Sequence, residues 1–323
     1  MPTMQHGALL EPGLRNEFSQ VYNPMYEGLR ARIGEVIWLE ATSDKLQEIY
    51  GFWNAPLYPV RWPEGSIIPS KGISSQRFSV INRDFGRRVY LPRNVEDDQT
   101  GTAYTVARNL ARTWAILPEL IFYQFIQAGT DNTLLPNVPN SADGNALYLT
   151  TTRYGSSSGN VVTVTGTSTV QQIITDVFSV IRRFQEFQNT ESQPFFDALQ
   201  TKKMSVFHGT SLTQVMQQAE FQTMQHSLVT STGAPVSNLL SDAKTDIAFV
   251  PSQRITGTSY YCFLRGLPDA MKPVIRQVRK GMNEAQGNWA TSDHTRDTGQ
   301  AYVQFDSREG WGSALAIGTI RVS

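Results

Sequence analysis

Cysteine is almost missing from this chain: Cys262 is the single thiol in 323 residues. An internal disulfide is thereby excluded, and so is a cysteine cage for zinc. A reducing compartment is the expected setting. Charge is scarce as well, at 17% of residues, below the usual quarter. The 28 basic and 28 acidic side chains cancel, so no global positive field exists to hold nucleic acid tightly. Zero net charge protects a large monomer poorly against association, which is no penalty for a protein built to associate. Long apolar runs are also absent. The most apolar segment, 114–126, is interrupted by Pro118, Glu119 and Gln124, short of the roughly eighteen residues a membrane span needs. Residues 1–10 carry no basic region followed by a long apolar run, so no signal peptide is expected.

Catalytic signatures are missing too. There is no G-x-x-x-x-G-K-[ST] loop, no G-x-G-x-x-G after a strand and no G-x-S-x-G elbow. The four histidines, His6, His208, His226 and His294, have no metal-ligand spacing. His208 reads as a turn histidine satisfied by backbone. Asp293-His294 could form an acid/base pair, but a Gly/Asn/Thr-rich loop surrounds it and a solvated contact is the simpler reading. Cys262 alternates within an apolar strand and reads as a buried, inert thiol. Glu96-Asp97-Asp98 could bind calcium or magnesium; placing negative charge near a helix start is simpler. No cofactor is expected, and no enzyme.

What is present is a 40% hydrophobic chain, enough for a sizeable core. Phe18, Tyr22 and Tyr26 recur at a spacing of four, as on a short helix face that Pro24 should end. Residues 34–41 read as a strand or extended arm. Next, Phe52, Trp53, Tyr58 and Trp62 are interleaved with Pro56, Pro59, Pro63 and Pro69, which forbid a regular helix and confine a strand to an edge. Two readings stand: a loop tucked on its own core, or a projecting loop packed on a neighbouring subunit. Residues 76–93 suggest a hairpin turning at Asp84-Phe85-Gly86.

The strongest helix spans 102–128, with Ala103, Val106, Ala107, Leu110, Ala111 and Trp114 on one face. Pro118 should kink or split it, and Gly129 can stop it. Further helices are expected over 169–187 and 211–226. Strands are expected over 203–207, 247–250, 259–264, 274–278 and 301–305, then a turn at 308–312 and a last strand over 313–322. The βαβ alternation of a nucleotide-binding sheet is not expected. Arg83, Arg87, Arg88 and Arg93 form one modest basic cluster, and Arg276, Arg279 and Lys280 another. These are read as ion pairs between chains, or as loose contacts to DNA, rather than sequence-specific binding.

Several stretches resemble the major head (capsid) subunit of Mu-like tailed bacteriophages, the T subunit family. They are Phe78 to Arg83 with Val89 to Arg93 and the acidic run Glu96-Asp97-Asp98; Pro118-Glu119-Leu120-Ile121-Phe122 ending at Gly129; and Asp143-Gly144-Asn145-Ala146-Leu147-Tyr148. The helix over 173–187, the strand over 203–207 and the helix from Ser211 follow in the same order, with Phe207-His208-Gly209 where the family has a proline. Then come Lys272-Pro273-Val274-Ile275-Arg276-Gln277-Val278-Arg279, and Tyr302 to Arg308 with Gly310-Trp311-Gly312. Together these cover about residues 76–315; residues 1–50 match little.

The resemblance implies an α+β chain of the HK97-like capsid fold. It would comprise an N-terminal arm (1–48), an extended loop (49–92), a peripheral domain with a long spine helix (93–150), an axial domain (151–264) and a C-terminal return to the peripheral domain (265–323). It implies hexamers and pentamers in an icosahedral head enclosing phage DNA, with a portal and a possible scaffold or decoration protein as partners. The setting would be the virion, assembled in host cytoplasm, with no membrane. Phe52, Trp53, Tyr58, Trp62, Arg87 and Arg88 become candidates for contact between subunits. Some shells of this fold crosslink a loop-tip lysine to a neighbour; Lys71 sits at that tip, although a solvated lysine is simpler. Three other readings remain: an encapsulin-like nanocompartment shell, a tail or baseplate component, and a hydrolase using Asp293 and His294.

Overall fold

The computed structural model describes residues 4–34, 37–53, 75–92, 100–129, 135, 138, 140–154, 159–164, 169–189, 192–224, 228–229, 235–236, 246–287, 297 and 300–323. Its helices are α1 (Met4–Leu29), α2 (Thr100–Ala115), α3 (Leu117–Ala128), α4 (Val170–Glu186) and α5 (Thr213–Met224). Its strands are β1 (Trp38–Thr42), β2 (Gln47–Trp53), β3 (Ser75–Pro92), β4 (Val161–Val162), β5 (Lys203–Gly209), β6 (Leu228–Val229), β7 (Pro235–Val236), β8 (Asp246–Ser252), β9 (Tyr260–Leu264), β10 (Val274–Gly287), β11 (Gln300–Ser313) and β12 (Thr319–Val322). One five-stranded sheet runs β1-β10-β11-β3-β2, another runs β4-β12-β9-β5-β8, and β6 and β7 form a small ribbon.

The second sheet is buried on both faces, which explains why Tyr260 to Leu264 reads as an unbroken apolar run. Alternation splits its side chains between two layers. Met204 and Val206 of β5, Cys262 and Leu264 of β9, and Ile320 and Val322 of β12 share a core with Ile173, Val177, Val180 and Phe184 of α4 and Met216 of α5. Phe207, Tyr261 and Phe263 point the other way, into a core with Ile121, Phe122, Phe125 and Ile126 of α3. Thr169 caps α4 as its side chain accepts from the Gln172 N–H.

The long helix breaks where proline requires it. Pro118 has no N–H to donate back to the preceding turn; α2 ends at Ala115 and α3 resumes at Leu117. Gly129, at φ 69°, ends α3 in the left-handed region and donates its N–H to the Phe125 carbonyl at 2.8 Å.

Four expectations need correction. Residues 76–93 are not a hairpin: β3 is one 18-residue strand whose Asp84, Phe85 and Gly86 lie opposite Arg308, Ser307 and Asp306 of β11. Pairing with distant strands overrides the local turn signal. For the same reason residues 308–312 do not turn but continue β11. The first helix runs through Pro24 to Leu29, held by packing of its aromatic face against the sheet. A parallel crossover, β5–α5–β8, also occurs.

Glycine explains how closely β3 lies on β11. A methyl at Gly310 would sit 2.6 Å from the Ile81 carbonyl oxygen, and one at Gly312 would sit 2.7 Å from Val80 Cγ2. Nearby, Asn82 Nδ2 donates to Ser43 Oγ (3.1 Å) and to the Lys45 carbonyl (2.6 Å), and the Tyr50 hydroxyl donates to Gln277 Oε1 at 2.8 Å. These contacts anchor the root of the β2–β3 pair. Gly310→Ala should therefore lower the unfolding free energy of the chain by roughly 1–3 kcal/mol. Gly51→Ala, where an added methyl meets nothing within 4 Å, should match the parent in the same urea titration. Equal stability of all three proteins would contradict the close-packing account.

Candidate functional site

The sequence-derived contact residues divide by position. Phe52 and Trp53 close β2, opposite Gln76 and Ser75 of β3. Tyr58, Trp62, Lys71, Asp293, His294 and Glu96 to Asp98 lie outside the described residues. Arg87 and Arg88 sit on β3 opposite Phe305 and Gln304. Arg88 donates through Nε to Gln304 Oε1 at 3.0 Å, with its guanidinium 4.4 Å from the centre of the Tyr302 ring.

The second basic cluster does not behave as one surface. Arg276 is buried inside its own chain, whereas Lys280 is half exposed and pairs with Asp306 at 2.6 Å. Arg276 extends from β10 beside Trp311 of β11. Its Nε and Nη2 donate to Glu309 Oε2 at 2.7 and 2.6 Å. Its Nη1 donates to the Tyr26 hydroxyl and lies 3.7 Å from Glu40 Oε2 of β1. Tyr26 in turn donates to Glu40 Oε1 at 3.4 Å. Burial works against the Arg276 charge, but Glu309, Tyr26 and Glu40 outweigh it and raise its pKa.

This knot ties α1 to the sheet. Along α1 the spacing of four makes an aromatic column: Phe18 lies 5.6 Å from Tyr22, and Tyr22 lies 5.5 Å from Tyr26. Phe18 also stacks on Phe305 of β11 at 4.2 Å. Burial, with the neighbouring Tyr26 adding to it, pushes the Tyr22 hydroxyl up to about 12. Sequence reading found the column but missed Glu309 and Glu40, and it read Arg276 as a contact to other chains or DNA where the structure pairs it within its own chain. The available signal was charge inside apolar strands: Arg276 follows Val274 and Ile275, and Glu309 precedes Gly310-Trp311.

A second buried knot explains the Asp143-Gly144 motif. Arg153, 3% exposed, donates from Nε to Asp143 Oδ2 at 2.6 Å, from Nη2 to Ser141 Oγ at 2.6 Å and from Nη1 to the Leu147 carbonyl at 2.8 Å. Asn160 Nδ2 donates to the carbonyls of Leu147, Ala316 and Thr319, which ties this segment to β12. Burial would raise the Asp143 carboxyl, but Arg153, Ser141 and the Asn145 N–H hold it below its ordinary value.

Neither knot pairs a nucleophile with a base. His208 is buried with Nδ1 3.0 Å from the Gly209 carbonyl oxygen, and burial pushes its pKa down. Cys262 is fully buried, which pushes its thiol up. Among the described residues, no group of three or more His, Cys, Asp or Glu could hold a metal, and no helix is long and apolar enough to cross a membrane.

Two outcomes follow. Glu309→Ala strands a buried guanidinium and should cost about 3–5 kcal/mol in unfolding free energy; a change under about 1 kcal/mol would show that the pair is dispensable. His208 should titrate below 6.5 by NMR, because its folded value is lowered from there. Its contribution to stability is then complete above pH 6.5 and declines as the pH falls, since the unfolded chain takes up the proton first. A titration midpoint above 6.5 would contradict the burial.

No family model and no curated protein matches this sequence, but solved structures do. One is the capsid of cyanophage P-SCSP1u, 10% identical, aligned over 90% of this chain and 87% of that one with a TM-score of 0.54. Another is the procapsid of bacteriophage JBD30, 14% identical over 99% of this chain and 75% of that one, TM-score 0.50. A third is a virus-like particle from Pyrococcus furiosus, 5% identical over 95% and 98%, TM-score 0.50. The two sheets, the split long helix and the long β2–β3 pair are thus those of the HK97-like capsid fold.

Proposed function

We propose that this chain is the shell-forming subunit of a tailed-phage head of the Mu-like kind, assembling into hexamers and pentamers around packaged DNA. The observation that carries this reading is the fold likeness to a phage capsid protein over nine-tenths of this chain. The fold divides naturally for that task. α1 serves as the N-terminal arm, β2 and β3 form the two sides of the extended loop, and α2 with α3 forms the spine. The second sheet with α4 and α5 forms the axial domain, to which β12 contributes a strand from the C-terminus. β10 and β11 complete the peripheral sheet. In this reading the work is self-contact rather than catalysis: many modest interfaces per subunit close a container through avidity, and ring closure needs heterologous contacts.

The aromatic anchors would lie at the loop. Phe52, Trp53, Tyr58 and Trp62 bury against a neighbouring copy, each truncation costing roughly 2 kcal/mol or more per contact. Arg87 and Arg88 lie on the same limb. A portal and a separate scaffold or decoration protein are the further partners, DNA contact is non-specific, and assembly takes place in host cytoplasm before the virion matures. A cellular nanocompartment shell is the second reading, favoured by the likeness to the Pyrococcus furiosus particle along nearly the whole of both chains.

Electron microscopy of the purified protein should show closed shells. Shells from infected or induced cells should contain DNA; a packed enzyme cargo in its place would favour the nanocompartment. Particles of Trp53→Ala and Trp62→Ala should assemble poorly or lose heat resistance. Parent-like behaviour of both would remove the loop aromatics from the interface.

A further inference from the structure

The helices on the first sheet leave a cavity of about 190 Å³, lined among others by Tyr22, Tyr26, Trp114, Lys280, Gly281 and Glu309. Its β10 wall is irregular: the pairing with β11 shifts between Val278 and Lys280 and again between Lys280 and Asn283. Such bulges bend a strand and re-aim its side chains.

Glu309 is left half satisfied in this cavity. It is 2% exposed. Oε2 takes both Arg276 bonds, while Oε1 is buried without a hydrogen-bond partner. Arg83 stands opposite Glu309 in register and still leaves that oxygen unpaired. The surrounding charges favour a second cation. The lining carries Arg276 and Lys280 beside two carboxylates, Glu309 and Glu40. Lys280 is engaged by Asp306 at 2.6 Å, and Arg30 approaches Glu40 only at 3.9 Å with half its side chain exposed. Trp114 adds an aromatic ring to the cavity wall, and a guanidinium is drawn to such rings.

We infer that this cavity receives an arginine side chain from β3 of a second copy of the chain. β3 carries Arg77, Arg83, Arg87 and Arg88 against Asp84 alone, a surplus of three positive charges in a chain whose net charge is zero. Arg77 and Arg87 are exposed and form no ion pair among the described residues. Donor strand and acceptor cavity are different surfaces, so the contact is heterologous and can pass from copy to copy around a ring. The inference rests on the shell-subunit reading and names the receptor for its extended loop.

Cysteine pairs test it directly. A side chain added at Gly281 meets nothing within 4 Å, and the native Cys262 is buried. Particles carrying Gly281→Cys with Arg87→Cys, or Gly281→Cys with Arg77→Cys, are oxidised and run on a non-reducing gel. At least one pair should give a ladder of crosslinked chains that the single variants lack. Well-formed particles without a ladder from either pair overturn the inference and leave the shell reading intact; a parent that never assembles overturns both. If loss of the arginines blocks assembly, Gly281→Leu decides. It should cut particle yield roughly tenfold while the unassembled subunit keeps the parent Tm, and an unchanged yield overturns the inference.

Discussion

Phe122 joins the two sheets. Its ring lies 5.5 Å from Trp38 of β1, which belongs to the first sheet, and 5.7 and 5.8 Å from Phe207 and Phe263 of the second. Trp38 continues the chain of rings to Trp311 of β11 at 5.1 Å. Helix α3 presents Phe122 at this point because Pro118 resets the helix direction just before it and Gly129 ends it just after. Protein interiors packed this densely transmit displacement rather than absorb it. The two sheets are therefore coupled through one aromatic core.

In the proposed shell role that rigidity would matter. A ring of subunits closes only when each copy presents its two interface surfaces at the same angle. The buried Arg276 knot holds α1 against the first sheet, and the Arg153 knot with Asn160 holds residues 141–154 against β12. Buried ion pairs add little net stability, since desolvation offsets most of their attraction. Their value here is positional: each fixes one element against another in a single arrangement. What remains exposed is consistent with association. Leu46 and Ile49, 58% and 68% exposed, lie beside the edge of β2, which pairs with β3 alone among the described residues, and an unpaired apolar edge is one that soluble monomers avoid.

Local signals in the sequence were reliable where local chemistry decides. The proline break in the long helix, the Gly129 stop and the buried strand around Cys262 were all legible before any coordinates. The spacing of Phe18, Tyr22 and Tyr26 also exposed the column that docks α1. Failures came where distant strands decide. Asp84-Phe85-Gly86 has the composition of a turn, yet β11 pairs straight through it. Gly310-Trp311-Gly312 also looks like a turn, although its glycines are there to admit Val80 and the Ile81 carbonyl. The Arg276 knot was hidden because its members, from Tyr26 to Glu309, are far apart in sequence and no local motif links them.

The central claim is that this polypeptide completes its low-energy state only among copies of itself. Sedimentation velocity across a wide concentration range tests it most directly. The account predicts a cooperative shift from small species to capsomers and then to particles of many subunits as concentration rises. A single 36.1 kDa species at every concentration, under conditions where the chain is folded, would contradict it.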